Sequence, residues 1–367
     1  MNPYYIYTDK MTVGYDGKPL IKDIEIKLKR GQILTLIGPN GAGKSTILKS
    51  ITKQLSLIGG TVYLDREIMQ KMTGREIAKK LSVVMTERLR TELMTCEDVV
   101  STGRYPYTGT LGILGPKDRE KVREAMEMVH ALELKDRDFT AVSDGQRQRI
   151  LLARAICQEP EVIVLDEPTS FLDIRHKLEL LSILKKMVLE NDLAVIMSLH
   201  ELDLAQKISD MVICVHGDKI EKYGPPEEIF TNAYIHELYG ITSGSYNANF
   251  GCLELPPPLG EPEIFVIAGN GTGIPIYRKL QRQGKAFATG VLHENDLDYQ
   301  VAKALAFEVI SQDAFQEISR ETYEKAKAAL LKCKKVICSI DCFGKMNEKN
   351  QELLKDAQAA GLKVCKI

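Results

Sequence analysis

The stretch Gly38-Pro39-Asn40-Gly41-Ala42-Gly43-Lys44-Ser45-Thr46 decides the fold of the first part of the chain. It fits the pattern G-x-x-x-x-G-K-[S/T] and lies between a predicted buried strand, residues 32–37, and a predicted helix. The glycines allow backbone N–H groups to face phosphate oxygens, and the helix N-terminus adds a partial positive charge. The stretch therefore predicts a nucleoside triphosphate site.

Particular side chains of this loop have predicted roles. Lys44 is expected to reach the outer phosphates and to offset the charge that develops there, and the Ser45 hydroxyl is expected to bind Mg²⁺. The residues predicted to contact the nucleotide are Gly38, Asn40, Gly41, Gly43, Lys44, Ser45 and Thr46.

An acidic pair, Asp166-Glu167, follows the continuous apolar run Val162–Leu165. Such a run is typical of a strand that is covered on both faces. Asp166 is the predicted second Mg²⁺ ligand, and Glu167 is the predicted general base that polarises the attacking water. Strands and helices alternate in this part of the chain, which favours an α/β domain with a nucleotide-hydrolysing site.

Length and composition limit the alternatives. At 367 residues the chain is long enough for two domains, and its net charge of −1 gives no sign of nucleic-acid binding. No apolar run approaches the roughly 18 residues that span a bilayer, and the start lacks a signal-peptide pattern. We therefore expect a cytosolic chain whose eight cysteines are thiols.

The stretch Val142-Ser143-Asp144-Gly145-Gln146 resembles the signature, usually L-S-G-G-Q, of the ATP-binding cassette (ABC) family. The resemblance covers about residues 4–258 and implies a P-loop ABC cassette with a helical subdomain at about 88–160. It also implies a homodimer with ATP between the two copies, in which Ser143, Gly145 and Gln146 contact the nucleotide held by the partner. Asp144 replaces a glycine of the pattern, and we expect it to point away from the phosphates or to cap the helix.

Four further residues match functional positions of that family. His200 matches the switch histidine, which contacts the γ-phosphate, and Asp173 matches the loop that signals between the two sites. Tyr15 matches the aromatic residue that stacks on adenine. The family's glutamine loop has no glutamine here, and Thr86 takes its place as the implied Mg²⁺ ligand.

Val99–Tyr107 and Tyr239-Gly240-Ile241 resemble segments of importer ATPases for iron–siderophore, haem and cobalamin. The resemblance implies a peripheral subunit at the cytoplasmic face of the membrane. Its partners would be separate transmembrane permease subunits and, indirectly, an extracytoplasmic substrate-binding protein. An exporter ATPase and a soluble cassette protein that does not transport are the alternatives.

A second domain is predicted at 259–367, after the stiff linker Pro256-Pro257-Pro258. Its alternating strands and helices predict a small, doubly wound Rossmann-like α/β domain. The turn Gly269–Gly273 is either a shortened dinucleotide fingerprint, with Asp296 as the ribose-binding acid, or a glycine turn that packs helix against strand. Four cysteines in the last stretch, Cys333, Cys338, Cys342 and Cys365, are either metal ligands or simply thiols.

Overall fold

The computed structural model describes residues 3–85, 93–109 and 112–366. The chain divides into a first unit, Met1–Tyr239, and a second unit, Gly240–Ile367. The predicted boundary at 258/259 lies further along the chain, because the second unit includes an antiparallel hairpin formed by Ser245–Asn247 and Cys252–Glu254.

The first unit contains strands and helices in alternation after an N-terminal run of strands. Its strands are β1 Ile6–Tyr15, β2 Lys18–Ile24, β3 Lys27–Leu28, β4 Ile33–Ile37, β5 Gly59–Leu64, β6 Glu67–Ile68, β7 Leu81–Val84, β8 Val162–Leu165, β9 Ala194–Ser198, β10 Met211–His216 and β11 Lys219–Gly224. Its helices are α1 Lys44–Ile51, α2 Gly74–Lys80, α3 Cys96–Ser101, α4 Pro116–Met128, α5 Asp144–Cys157, α6 Ile174–Asn191, α7 Leu202–Ile208, α8 Pro226–Ile229 and α9 Asn232–Leu238.

The central sheet of the first unit has six strands in the order β11-β10-β4-β9-β8-β7. All neighbouring pairs are parallel except β10 with β11. Every residue of β4, β8 and β9 is buried, as expected for strands covered on both faces. The carboxyl ends of these three strands meet at one edge, and the predicted phosphate loop, acidic pair and His200 follow them there.

A second, antiparallel sheet contains β2-β1-β5-β6, with β3 paired to β1. The predicted turn at Asp16-Gly17 is confirmed, and both residues have positive φ, 50° and 73°. Such a turn matches the twist of the two strands that it joins. It leaves Tyr15 at the end of β1.

The predicted helical insert is present as α3, α4 and α5, which pack against one another. Buried apolar residues such as Val99, Val122 and Ile150 lie between the helices. Arg104 is also buried here, and its guanidinium donates to Asp118 at 3.0 Å and to Glu159 at 2.8 Å. Residues 88–92, where the predicted insert begins, lie outside the described residues.

The second unit confirms the predicted doubly wound α/β arrangement. Its strands are β12 Ser245–Asn247, β13 Cys252–Glu254, β14 Ile264–Ile267, β15 Phe287–His293, β16 Glu308–Gln312, β17 Lys335–Cys338 and β18 Lys363–Lys366. Its helices are α10 Ile274–Arg282, α11 Leu297–Leu305, α12 Arg320–Lys332 and α13 Glu348–Ala359. Five parallel strands follow the order β16-β15-β14-β17-β18. One apolar cluster joins the sheet to α10 and α11, and another joins it to α12 and α13.

Among the helices in residues 3–85, 93–109 and 112–366, none is both long enough and apolar enough to cross a membrane.

Candidate nucleotide site

The glycine loop between β4 and α1 has a backbone that other residues could not adopt. Gly38 has φ +143°, and a Cβ there would lie 2.1 Å from the carbonyl oxygen of Val215. Gly43 has φ +96°, and a Cβ there would lie 2.7 Å from the Ile21 side chain. Asn40 and Gly41 are exposed at the tip of the loop. The N-terminus of α1 has no side-chain cap, so its first N–H groups face the place where an anion would bind.

The ammonium group of Lys44 is fixed against this loop. Its Nζ donates to the carbonyl oxygens of Gly38 at 2.8 Å and of Pro39 at 3.1 Å. Burial lowers the pKa of Lys44, and the nearby carboxylates of Glu167 and Asp166 oppose that shift. The role of Lys44 in binding the outer phosphates stays a prediction, since its ammonium group bonds to the loop itself in this structure.

Ser45 and Asp166, two of the three predicted Mg²⁺ ligands, lie together. Ser45 donates from Oγ to Oδ1 of the buried Asp166 at 3.1 Å, and Ser198 donates to the same oxygen at 2.7 Å. Hydroxyl and carboxylate oxygens are the donors that Mg²⁺ prefers, so this pair fits that ion. The third predicted ligand, Thr86, lies outside the described residues.

Glu167 is oriented by three neighbours. Its Oε1 lies 2.5 Å from Nε2 of His200, and its Oε2 accepts from the Ser170 hydroxyl at 3.1 Å. Its backbone N–H donates to Ser198 at 2.8 Å. Glu167 has φ +47°, a conformation that is uncommon for a non-glycine residue and that clusters at functional sites. Two of the three side chains predicted to be catalytic, Glu167 and His200, are thus in direct contact.

Two tyrosines border the phosphate loop. Tyr15 has its hydroxyl 3.1 Å from Oγ1 of Thr46, and about half of its side chain, 51%, is exposed. An exposed ring beside the loop can stack on a base. Tyr239 accepts a hydrogen bond from the N–H of Gly38 at 3.1 Å. Sequence reasoning used Tyr239 only as a marker of the importer branch, and it gave Ser198 and Ser170 no role.

The signature residues form the first turn of α5. Ser143 is its N-cap, accepting from the N–H of Gln146 at 3.3 Å, and Gln146 accepts from the N–H of Ser143 at 3.1 Å. This is a capping box. Asp144 pairs with Arg147 at 2.9 Å. Asp144 was expected either to point away from the phosphates or to cap the helix. The structure shows it paired with Arg147, while Ser143 caps the helix.

Asp173 lies at the neighbouring helix start, as the N-cap of α6. Its Oδ1 accepts from the N–H of His176 at 2.9 Å and lies 2.9 Å from Nδ1 of that residue. The backbone N–H of His176, together with the charge of its ring, lowers the pKa of Asp173. A Cβ on Gly145 would lie 3.4 Å from the same ring. His176 therefore lies between Asp173, the predicted signalling residue, and Gly145 of the signature. The sequence did not predict this contact.

The predicted residues thus occur in two groups. One contains the glycine loop, Tyr15, Asp166, Glu167 and His200, and the other contains the signature and Asp173. Across the described ranges, no hydrogen bond or ion pair joins Ser143, Gly145 or Gln146 to the glycine loop. Each group presents N–H groups at a helix start, where anions bind favourably.

The glycine turn of the second unit has a different electrostatic character. Asp296 accepts from the N–H of Asn270 at 2.8 Å. Asp298 accepts from the N–H of Gly273 at 3.0 Å and of Ile274 at 2.9 Å. These carboxylates hold the N–H groups that a pyrophosphate would need. A Cβ on Gly273 would lie 2.7 Å from Cβ of Ala268, so the geometry favours the packing turn over the dinucleotide fingerprint.

The cysteines of the chain are free thiols. Cys338 is buried, Cys365 is partly buried and Cys342 is exposed. In the ranges that the structure covers, no group of three or more His, Cys, Asp or Glu side chains is arranged to hold a metal ion.

A glycine loop with a buried lysine, a serine–aspartate pair and a glutamate–histidine pair defines a P-loop nucleoside triphosphatase. The ABC transporter family model matches residues 21–170, and the MJ0874 family model matches residues 287–367. An uncharacterized ABC transporter ATP-binding protein of Methanocaldococcus jannaschii, MJ0873, is 41% identical over 74% of this chain and 94% of its own length. The chain belongs to the ABC transporter family of ATP-binding proteins, which are ATPases.

Other relatives have names that state a cargo. The iron(3+)-hydroxamate import ATP-binding protein FhuC of Bacillus subtilis is 34% identical, over 64% of this chain and 87% of its own. The cobalamin import ATP-binding protein BtuD of Halobacterium salinarum is 27% identical, over 87% of this chain and 81% of its own. A solved inward-facing metal-chelate type ABC transporter matches with a TM-score of 0.57 and 25% identity, over 64% of this chain and 88% of that one.

Proposed function

We propose that the chain is the ATP-hydrolysing subunit of an importer that takes up a metal chelate through separate permease subunits. The observation that carries this proposal is the direct contact between Glu167 and His200 beside the Lys44 loop, which is a site arranged for hydrolysis and not only for binding. The names of the relatives and of the solved transporter support the direction of transport and the class of cargo.

In this proposal Tyr15 stacks on the adenine and the glycine loop holds the phosphates. Glu167 accepts a proton from water as the water oxygen bonds to the γ-phosphorus, and the bond from that phosphorus to the β,γ-bridging oxygen breaks, leaving ADP and phosphate. His200 orients the Glu167 carboxylate and contacts the γ-phosphate. Ser45 and Asp166 would hold Mg²⁺, which supplies compensating positive charge when bound. Lys44 offsets the charge on the transferred phosphoryl group.

Two copies complete each site in this proposal. Ser143 and the N–H of Gly145 in one copy face the γ-phosphate held by Lys44 of the other, because a helix N-terminus stabilises an anion. Asp173 would lie near the junction, where it can report the state of one site to the other. The separation of the described site residues into two groups within one chain supports this arrangement.

The proposed partners are two transmembrane permease chains and, beyond them, an extracytoplasmic substrate-binding protein. The ATPase would lie at the cytoplasmic face of the membrane, with its helical segment passing the closing motion to the permease. Candidate cargoes are iron–siderophore, haem and cobalamin chelates. Cobalamin is favoured among them, because the similarity to the cobalamin import protein of Halobacterium salinarum extends over 87% of this chain. The similarity to FhuC extends over 64%.

A pull-down from native membranes tests the proposal. The tagged Glu167→Gln chain with Mg-ATP should recover a many-helix permease and a binding protein, identified by mass spectrometry. The Lys44→Ala chain, which should not bind ATP, is the matched control. Recovery of a permease with no binding protein encoded beside it would favour an exporter. Recovery of soluble partners alone would contradict transport.

A further inference from the structure

A cleft of about 350 Å³ lies in the second unit, at the carboxyl edge of its parallel sheet. Four loops line it: Asn270 follows β14, Asn295 follows β15, Phe315 follows β16 and Met346 follows β17. Because β14 neighbours both β15 and β17, the strand order reverses direction there. Doubly wound sheets bind their ligands at this switch point, so the cleft lies where the topology predicts a binding site.

The loop that carries Phe315 is held in place. His293, at the end of β15, has Nε2 2.8 Å from the carbonyl oxygen of Gln316. Gln312 accepts from the N–H of Ser319 at 2.9 Å and so closes the other end of the loop. Phe315 itself has φ +63°, which is unusual for a bulky residue, and 82% of its side chain is exposed. The fold thus keeps an aromatic ring in water at the mouth of the cleft.

The lining of the cleft combines apolar side chains and amides with two titratable side chains, His293 and Asp296. Phe315, Leu297 and Met346 supply an aromatic and apolar surface. Asn270 and Asn295 supply amides, each able to donate and to accept hydrogen bonds. An aromatic face beside amide groups suits a flat ring whose edge carries both donors and acceptors.

The electrostatics of the cleft argue against a phosphate. The N–H groups at the start of α10 already donate to Asp298, and the N–H of Asn270 donates to Asp296, which also lines the cleft. A phosphate would find the N–H groups at the start of α10 already bonded and would meet the Asp296 carboxylate. The cleft therefore selects against nucleotides while retaining features that suit a base.

We propose that this cleft binds an uncharged planar heteroaromatic compound of the nucleoside class, with its ring stacked on Phe315 and its edge bonded to Asn270 and Asn295. The site is separate from the ATP site and does not depend on the transport proposal. It gives the second unit a ligand-sensing role that hydrolysis alone does not require.

The test uses the full chain labelled with ¹³C at the methionine methyl groups, with the Met346 signal assigned from Met346→Leu. Adenosine, guanosine, cytidine and uridine are titrated to millimolar concentration. At least one should shift the Met346 signal, and Phe315→Ala should weaken that binding about five- to hundredfold. Phe307→Ala, which removes another exposed ring of the same unit, should leave it unchanged.

Three outcomes would overturn the proposal. The first is that none of the four nucleosides moves the Met346 signal. The second is that Phe315→Ala binds as tightly as the unaltered chain. The third is that a 5′-monophosphate binds tenfold or more tightly than its nucleoside, since that would show a phosphate site where the carboxylates should exclude one. Met346 is the one methionine in the sequence of the second unit, so its signal reports binding within that unit.

Discussion

The Glu167 side chain illustrates how neighbouring residues prepare a carboxylate for its role. Ser170 and His200 each contact one of its oxygens, and its backbone N–H is held by Ser198. A carboxylate fixed in this way loses little freedom when it accepts a proton from water. The role of Glu167 can therefore be tested by replacing one oxygen of its carboxylate, as in Glu167→Gln.

Glu167→Gln should bind ATP with normal affinity and hydrolyse it about 10²- to 10⁴-fold more slowly, because the amide cannot accept the proton of water. Steady-state phosphate release and ATP binding by equilibrium dialysis measure the two effects. Glu190→Gln, an exposed change at the end of α6, should leave both ATP affinity and the rate of hydrolysis unchanged. Near-normal turnover of Glu167→Gln would contradict the assignment of the general base.

Ser198→Ala should weaken the same site by a different route. The hydroxyl donates to Asp166 and accepts from the N–H of Glu167, so its loss leaves a buried donor unsatisfied and costs about 1–3 kcal/mol of stability. The Mg²⁺ concentration for half-maximal hydrolysis should rise, and thermal unfolding should occur at lower temperature. Ser198→Thr retains the hydroxyl and should restore part of both. An unchanged Mg²⁺ dependence in Ser198→Ala would argue against a role at the metal site.

Single residues were predicted well where the backbone pattern fixes them and poorly where distant segments meet. The glycine loop needs its glycines at set positions, so its sequence alone predicts it. Ser198 and Tyr239 contact the site from 32 and 201 residues away along the chain, and no local pattern predicts such contacts. The proposed ribose role of Asp296 received no support, because its carboxylate binds the Asn270 N–H.

The N-cap residues of two helices, α5 and α2, allow helix capping to be separated from phosphate binding. Ser143 caps α5, and Thr73 caps α2, each with a capping box. Ser143→Ala and Thr73→Ala should therefore lose a similar stability, about 1 kcal/mol, measured by chemical denaturation. Only Ser143→Ala should also reduce hydrolysis, since only Ser143 would face a phosphate. Equal hydrolysis by the two variants would mean that Ser143 is a cap and nothing more.

The helical segment depends on Arg104, whose side chain is only 4% exposed. Arg104→Met should destabilise the segment by about 2–4 kcal/mol, because Asp118 and Glu159 would lose their partner. Arg123→Met removes an exposed pair with Glu127 and should cost less than about 0.5 kcal/mol. Thermal unfolding measured by circular dichroism compares them. Equal losses of stability would contradict a structural role for Arg104 and its two carboxylate partners.

The stability that Arg104 contributes should depend on pH through its two carboxylate partners, Asp118 and Glu159. The N–H of Gly115 and then Arg104 lower the pKa of Asp118. Burial acts to raise the pKa of Glu159, but hydrogen bonds from Arg104 and Lys121 lower it overall. Groups with a lowered pKa stabilise the fold above their unfolded pKa values, and that contribution is lost as pH falls through their folded values. The gap between the unaltered chain and Arg104→Met should therefore narrow below about pH 4. A gap that widened on acidification would contradict this.

At the scale of the whole molecule, the parallel sheets explain why both units could be predicted. Buried apolar runs indicated β4, β8 and β9 in the first unit and the five parallel strands of the second, and a glycine turn follows β4 and β14. The function of the second unit could not be predicted from the same signals, because a glycine turn looks alike whether it binds phosphate or packs a helix. The structure separates these cases through Asp298, whose carboxylate accepts hydrogen bonds from the N–H groups of Gly273 and Ile274 at the start of α10.

In the proposed mechanism, each ATP lies between the Lys44 loop of one copy and the signature of another. Sedimentation velocity of Glu167→Gln tests it most directly. Glu167→Gln should be a dimer with Mg-ATP, a monomer with ADP, and a monomer again with ATP when Ser143→Ala is added. A Glu167→Gln chain that binds ATP tightly yet remains a monomer, or a dimer that Ser143→Ala leaves intact, would contradict it.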